Sequence, residues 1–134
     1  MRKIKAHTLK IISFLFILIS VIIISGVISA KTLTSDSQLL NNKILEIQSN
    51  TEKNDWTKAK EGLKKVKHDW SGMESTWTIL LDHMEIDNID TSLSRLEKFV
   101  EIKDKVQTLS EAATLKQYIL HIPQKEGFNL KNIF

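Results

Sequence analysis

The chain has 134 residues, a formal net charge of +3 and no cysteine. That length supports one small domain, and the missing cysteines exclude disulfides, thiolate metal sites, thiol catalysis and a lipidated N-terminal cysteine. The positive charge is local: Arg2, Lys3, Lys5 and Lys10 precede a long apolar run that no acidic residue precedes, and the remaining 15 basic residues are interspersed with 16 acidic ones. Beyond Lys58, Lys60, Lys64, Lys65 and Lys67 no basic clustering occurs, so nucleic acid is not an expected partner.

Residues 1–10 read as a basic segment and 11–30 as an anchor. From Ile11 to Ala30 no side chain is charged, and Ser13, Ser20, Ser25 and Ser29 carry the only hydroxyls. Twenty helical residues reach roughly 30 Å, the thickness of a bilayer hydrocarbon core. Basic charge before the run, against Lys31 alone just after it, predicts a cytoplasmic N-terminus at the cell membrane, with residues 31–134 outside. A cleaved signal peptide is the competing reading, with Ile28-Ser29-Ala30 as its cleavage site. Signal cores are usually about 7 to 15 residues, and this run is longer.

The outer part reads as a small all-α antiparallel bundle or hairpin, because only Gly62, Gly72, Gly127 and Pro123 offer turn chemistry after Lys31. Leu33, Leu40, Ile44 and Ile47 predict a helix over about 34–49 that could continue directly from the anchor. Trp56, Ala59, Leu63, Val66, Trp70, Met73, Trp77, Leu80 and Met84 alternate spacings of three and four, which predicts a helix over about 54–84 with a single apolar stripe. Asn54 or Asp55 is its expected N-cap. The heptad spacing makes the three tryptophans core residues rather than the lining of a ligand groove.

Glu85 to Asp90 reads as a connection. Leu93, Leu96, Phe99, Val100 and Ile102 then predict a helix over about 90–102. Val106, Leu109, Ala112, Ala113, Ile119 and Leu120 predict another over about 105–121. Phe99, Ile102, Val106, Leu109 and Ala113 keep heptad spacing and would join the two, whereas Asp104 with Gln107 resembles a capping box that opens a new helix; two helices are preferred. Pro123 pushes Ile122 out of helical geometry, so the last helix should end near His121. A tail over 122–134, with Phe128, Leu130, Ile133 and Phe134, should pack back.

Chemistry, if present, should lie in Asp82-His83-Met84-Glu85-Ile86-Asp87-Asn88-Ile89-Asp90. Carboxylates and imidazole can hold a divalent cation, and a folded-back last helix would bring His121 to the same end as His83. His83, Glu85, Asp87 and His121 are thus the candidate ligands. The simpler reading needs no metal: Asp87 or Asp90 caps the next helix, and His83 sits at the C-terminal end of the preceding dipole. The carboxylate spacing is wrong for an EF-hand, and nucleophile elbows and phosphate loops are missing. Neither an enzyme nor a cofactor is therefore expected.

The basic start, apolar anchor, Asn54-Asp55-Trp56, Trp70, Trp77, the 82–90 junction, His121-Ile122-Pro123 and the Asn129-Leu130-x-Asn132-Ile133-Phe134 ending together resemble the bacterial domain of unknown function 4363 family. The resemblance covers nearly the whole chain. It implies a membrane-anchored helical protein of low-GC Gram-positive bacteria, with no assigned activity and an accessory role beside another membrane protein. The functional expectation is a module that docks a membrane or envelope protein and leaves an exposed apolar patch once its bundle closes. The alternative is a cation or small-ligand sensor at His83, Glu85 and Asp87.

Overall fold

The computed structural model describes residues 2–131, with side chains over residues 7–123. Four helices run in chain order: α1 Arg2–Glu52, α2 Trp56–Leu80, α3 His83–Glu101 and α4 Lys105–Lys131, with no strand among the described residues. Each helix packs against the next, and α4 closes the ring on α1, while the diagonal pairs α1–α3 and α2–α4 do not meet. All four contacts are antiparallel. Trp77 bonds Asp36 and Lys43 pairs with Asp69 between α1 and α2. Lys67 reaches Glu97 between α2 and α3, and Ser92 reaches Glu111 between α3 and α4.

α1 is one unbroken helix with two different environments. Its stretch from His7 is long and apolar enough to cross a membrane, and the large apolar side chains from Leu9 to Ile28 face outward. From Leu33 a narrow stripe takes over: Leu33, Ser37, Leu40, Ile44, Ile47 and Thr51 are buried, at alternating steps of four and three. Against it α2 lays Ala59, Gly62, Leu63, Val66, Trp70 and Trp77. Gly62 is there for proximity, because a Cβ at that position would lie 3.0 Å from Cγ1 of Ile47.

The two turns at the far end of the bundle use one device. After α1, Asn54 takes a left-handed φ of 58°; its N–H donates to the Thr51 carbonyl, and that of Asp55 to the Asn50 carbonyl. After α3, Lys103 has φ 56°, with Lys103 N–H bonded to Val100 and Asp104 N–H to Phe99. This is the Schellman arrangement, which satisfies carbonyls that a helix end leaves open. In both turns the next residue is an aspartate that caps the following helix: Lys58 N–H donates to Asp55 and Gln107 N–H to Asp104. Lys105 Nζ donates to the Glu52 carbonyl and so ties the two turns together.

Several boundaries differ from the sequence expectation. α2 stops at Leu80 rather than near Met84, and α3 starts at His83 rather than near Asp90. The acidic residues taken as a connection form the first turns of a helix, where negative charge faces the positive end of the dipole. Its cap is Asp82, not Asp87 or Asp90, because Asp82 accepts the N–H of Met84. His83 consequently begins α3 instead of ending α2. α3 and α4 are separate, as Asp104 suggested, and the heptad that would have joined them is broken: Ile102 is 68% and Val106 76% exposed.

α4 also continues through Pro123 to Lys131 instead of ending near His121. Proline has no N–H, so the carbonyl four residues earlier, Ile119, loses its helical donor. Ser37 supplies one from α1: its buried Oγ donates to the Ile119 carbonyl at 3.0 Å. The serine on the core stripe of α1 and the proline in α4 therefore answer each other. The expected packing of Phe128, Leu130, Ile133 and Phe134 concerns side chains outside the described residues.

Candidate functional site

The registers divide the bundle into a near end and a far end. Trp77, three residues before the end of α2, bonds Asp36, which stands six residues after Ala30. The α2–α3 turn therefore lies beside the start of the buried stripe of α1, next to the apolar segment. The α1–α2 and α3–α4 turns lie at the opposite end, some twenty residues further along α1, or about 30 Å by helical rise.

At the near end, Leu81 and Asp82 form a two-residue extended link. Stepping back along α3 from Ser92, and forward along α4 from its partner Glu111, reaches His83 and His121 at similar heights. The fold thus brings both histidines to one end of the bundle. They are exposed, as is Asp87, while Glu85 is half-buried. The four candidate ligands do not converge: among the described residues no group of three or more histidines and carboxylates could hold a metal ion. Ile86 and Ile89, which punctuate the acidic run, are buried in the core.

Asp90 has a different task. Its Oδ1 accepts the indole N–H of Trp70 at 2.6 Å, and Asp36 Oδ2 accepts that of Trp77 at 3.0 Å. The two indoles meet edge to face, with centroids 5.3 Å apart and planes at 85°. Two tryptophans of α2 therefore reach carboxylates on α1 and α3, giving each buried N–H a charged acceptor. The sequence marked all three tryptophans as core, which holds for Trp70 and Trp77 but not for Trp56, half-buried at the start of α2; Asp36 and Asp90 carry no local signal for this role. Nearby, Glu111 accepts from Ser92 Oγ and Arg95 together, and Arg95 is pushed above the usual guanidinium value chiefly by its hydrogen bond to Glu111.

The remaining surface has two features. Between α2 and α3, Lys60, Lys64 and Lys67 line a shallow groove opposite Glu97 and Glu101, so its charges are mixed. Large apolar side chains stand exposed at both ends: Ile79 at 84% and Met84 at 67% flank the near turn, and Ile102 and Val106 flank the far one. The far pair sits one helical turn apart in sequence, bracketing the left-handed Lys103.

No curated protein and no solved structure matches the chain. A family match covers residues 27–133, taking in the junction from apolar segment to bundle, the bundle half of α1 and the whole of α2, α3 and α4. With that span matched, the chain belongs to the family described as Domain of unknown function (DUF4363).

Proposed function

We propose that the chain is a single-pass membrane protein with a cytoplasmic N-terminus, and that its outer bundle is a non-catalytic module docking a protein partner of the membrane or envelope. The observation that carries this reading is the continuity of α1: the helix that supplies the apolar segment also supplies one quarter of the bundle core. A bundle attached in this way has no flexible linker and is held at a fixed height above the lipid. Its far end would stand about 30 Å out. Ile102 and Val106 project there, and an apolar pair left over by a closed bundle suits a protein contact. The cation-sensor reading requires His83, Glu85, Asp87 and His121 to converge, which they do not.

A photoreactive side chain at Val106, irradiated in native membranes, tests the proposal. The expected product is one discrete adduct with another protein, lost when Ile102 is replaced by Ser and not formed when the photoreactive side chain is placed instead at the exposed Lys58. Adducts that survive Ile102→Ser, or equal yields from position 58, would mean that the far end docks nothing specific.

A further inference from the structure

Exposure of an isolated apolar side chain is ordinary in soluble proteins, so Ile79 and Met84 gain meaning only from where they stand. Ile79 is more exposed than any apolar side chain of the anchor, where Phe16 reaches 74%. The Trp77–Asp36 bond fixes its height: stepping from Trp77 to the helix end at Leu80 matches stepping back from Asp36 to Leu33. Leu33 lies three residues beyond Ala30, about 5 Å by helical rise. Ile79 and Met84 each stand two residues from the extended Leu81–Asp82 link, and so at heights about 5 to 10 Å beyond the apolar segment's end, measured along the axis of α1. The headgroup layer of one leaflet is roughly 5 to 7 Å thick. A rigid α1 holds the turn at that height.

We propose that the α2–α3 turn rests in the outer headgroup layer of the membrane, with Met84 inserted at the headgroup–acyl boundary and Ile79 beside it at headgroup level. This inference depends on residues 11–30 being a membrane anchor. Depth differs between the two because a helical Cα–Cβ bond tilts toward the helix N-terminus. α3 begins at the lipid and α2 ends there, so Met84 leans toward the bilayer and Ile79 away from it. The contact is apolar rather than electrostatic: Asp82, Glu85 and Asp87 surround the turn, and Asp82 is engaged as the cap. Ile102 and Val106 lie too far from the anchor to touch the same lipid and provide the comparison.

Because the chain lacks cysteine, single-cysteine variants accept a nitroxide label directly. Ile19→Cys, Ile79→Cys, Met84→Cys and Val106→Cys chains, in vesicles of phosphatidylcholine and phosphatidylglycerol, would be compared by collision with oxygen, which prefers lipid, and with a water-soluble nickel chelate. All four sites are exposed, and helical circular dichroism checks folding. The expected oxygen-to-nickel ratio is highest at position 19, then 84, then 79, with 84 several-fold above 106. A lipid-like ratio at 19, with 79 and 84 matching 106, overturns the inference and leaves the anchor standing. A water-like ratio at 19 overturns both. An immobilised label at 84, shielded from both reagents, shows a protein covering the turn and also overturns the lipid contact.

Discussion

The two halves of α1 share one backbone and differ in everything around it. Before Lys31 the side chains are apolar on every face and none of the most apolar stretch is buried; after it, every third or fourth residue is buried, most of them apolar, while Leu39 and Leu45 stand exposed among polar neighbours. Hydrophobicity all round suits a helix surrounded by lipid, whereas a single stripe suits one that packs against two neighbouring helices and leaves its other faces to water. The change occurs within a few residues without a glycine, proline or break in the helix. Continuous backbone hydrogen bonding thus joins a segment apolar enough to cross a membrane to one that packs into a bundle.

If the halves are independent in stability, they should fail separately. Leu40→Ala empties a fully buried position and should cost the bundle about 2 to 5 kcal/mol, read as a lower Tm with the chain still sedimenting with membranes. Ile19→Arg places a charge near the middle of the apolar run and should cost about 2.5 to 3.5 kcal/mol of insertion, read as loss from the membrane fraction with bundle Tm unchanged. If Ile19→Arg also melts the bundle, the two halves are coupled.

A smaller effect probes the inner half alone. Ser37→Ala leaves the buried Ile119 carbonyl without a donor and should lower stability by about 1 to 3 kcal/mol. In a Pro123→Ala background the restored N–H at position 123 can bond Ile119, and the same serine change should then cost a few tenths of a kcal/mol. Equal losses in both backgrounds would show that Ser37 does not compensate for the proline.

The smallest effect belongs to the far turns. The backbone N–H of Lys58 holds the Asp55 carboxyl below its ordinary value. A group lowered in the folded state adds stability above its unfolded pKa and loses it as the pH falls through the folded one. The Tm difference between the native chain and Asp55→Ala should therefore be steady near neutral pH and shrink in acid. A difference that does not change with pH would remove the charged cap as its cause.

Where burial follows apolar spacing, the fold was legible. Leu33, Leu40, Ile44 and Ile47, and the stripe of α2 from Ala59 to Trp77, were readable because a helix repeats every 3.6 residues. Buried positions are also held by Ser37 and Thr51 on α1, Ser92 on α3 and Thr108 on α4; a hydroxyl at such a position looks like solvent-facing surface until its neighbour is known. In α3, Ile86, Ile89, Leu93, Leu96 and Val100 keep regular spacing, but the carboxylates among them suggested a loop. Ile102 and Val106 looked like core because the left-handed turn between them is set by Lys103, a residue without a strong turn signature. At the candidate site, sequence supplied the histidines and acids but not their separation. The Trp70–Asp90 and Trp77–Asp36 pairs span 20 and 41 residues and exist only through packing.

The unbroken α1 also fixes an azimuth. Each helical residue advances the chain by about 100° around the axis, so each face of the apolar half is locked to one flank of the bundle, and under the proposed anchoring the face turned toward a neighbour in the bilayer would dictate which flank meets that neighbour outside. One residue inserted between Ala30 and Leu33 would swing the bundle by about that angle while raising it only about 1.5 Å. In this architecture orientation is a phase written into the spacing between two segments, and a single insertion would alter direction far more than height.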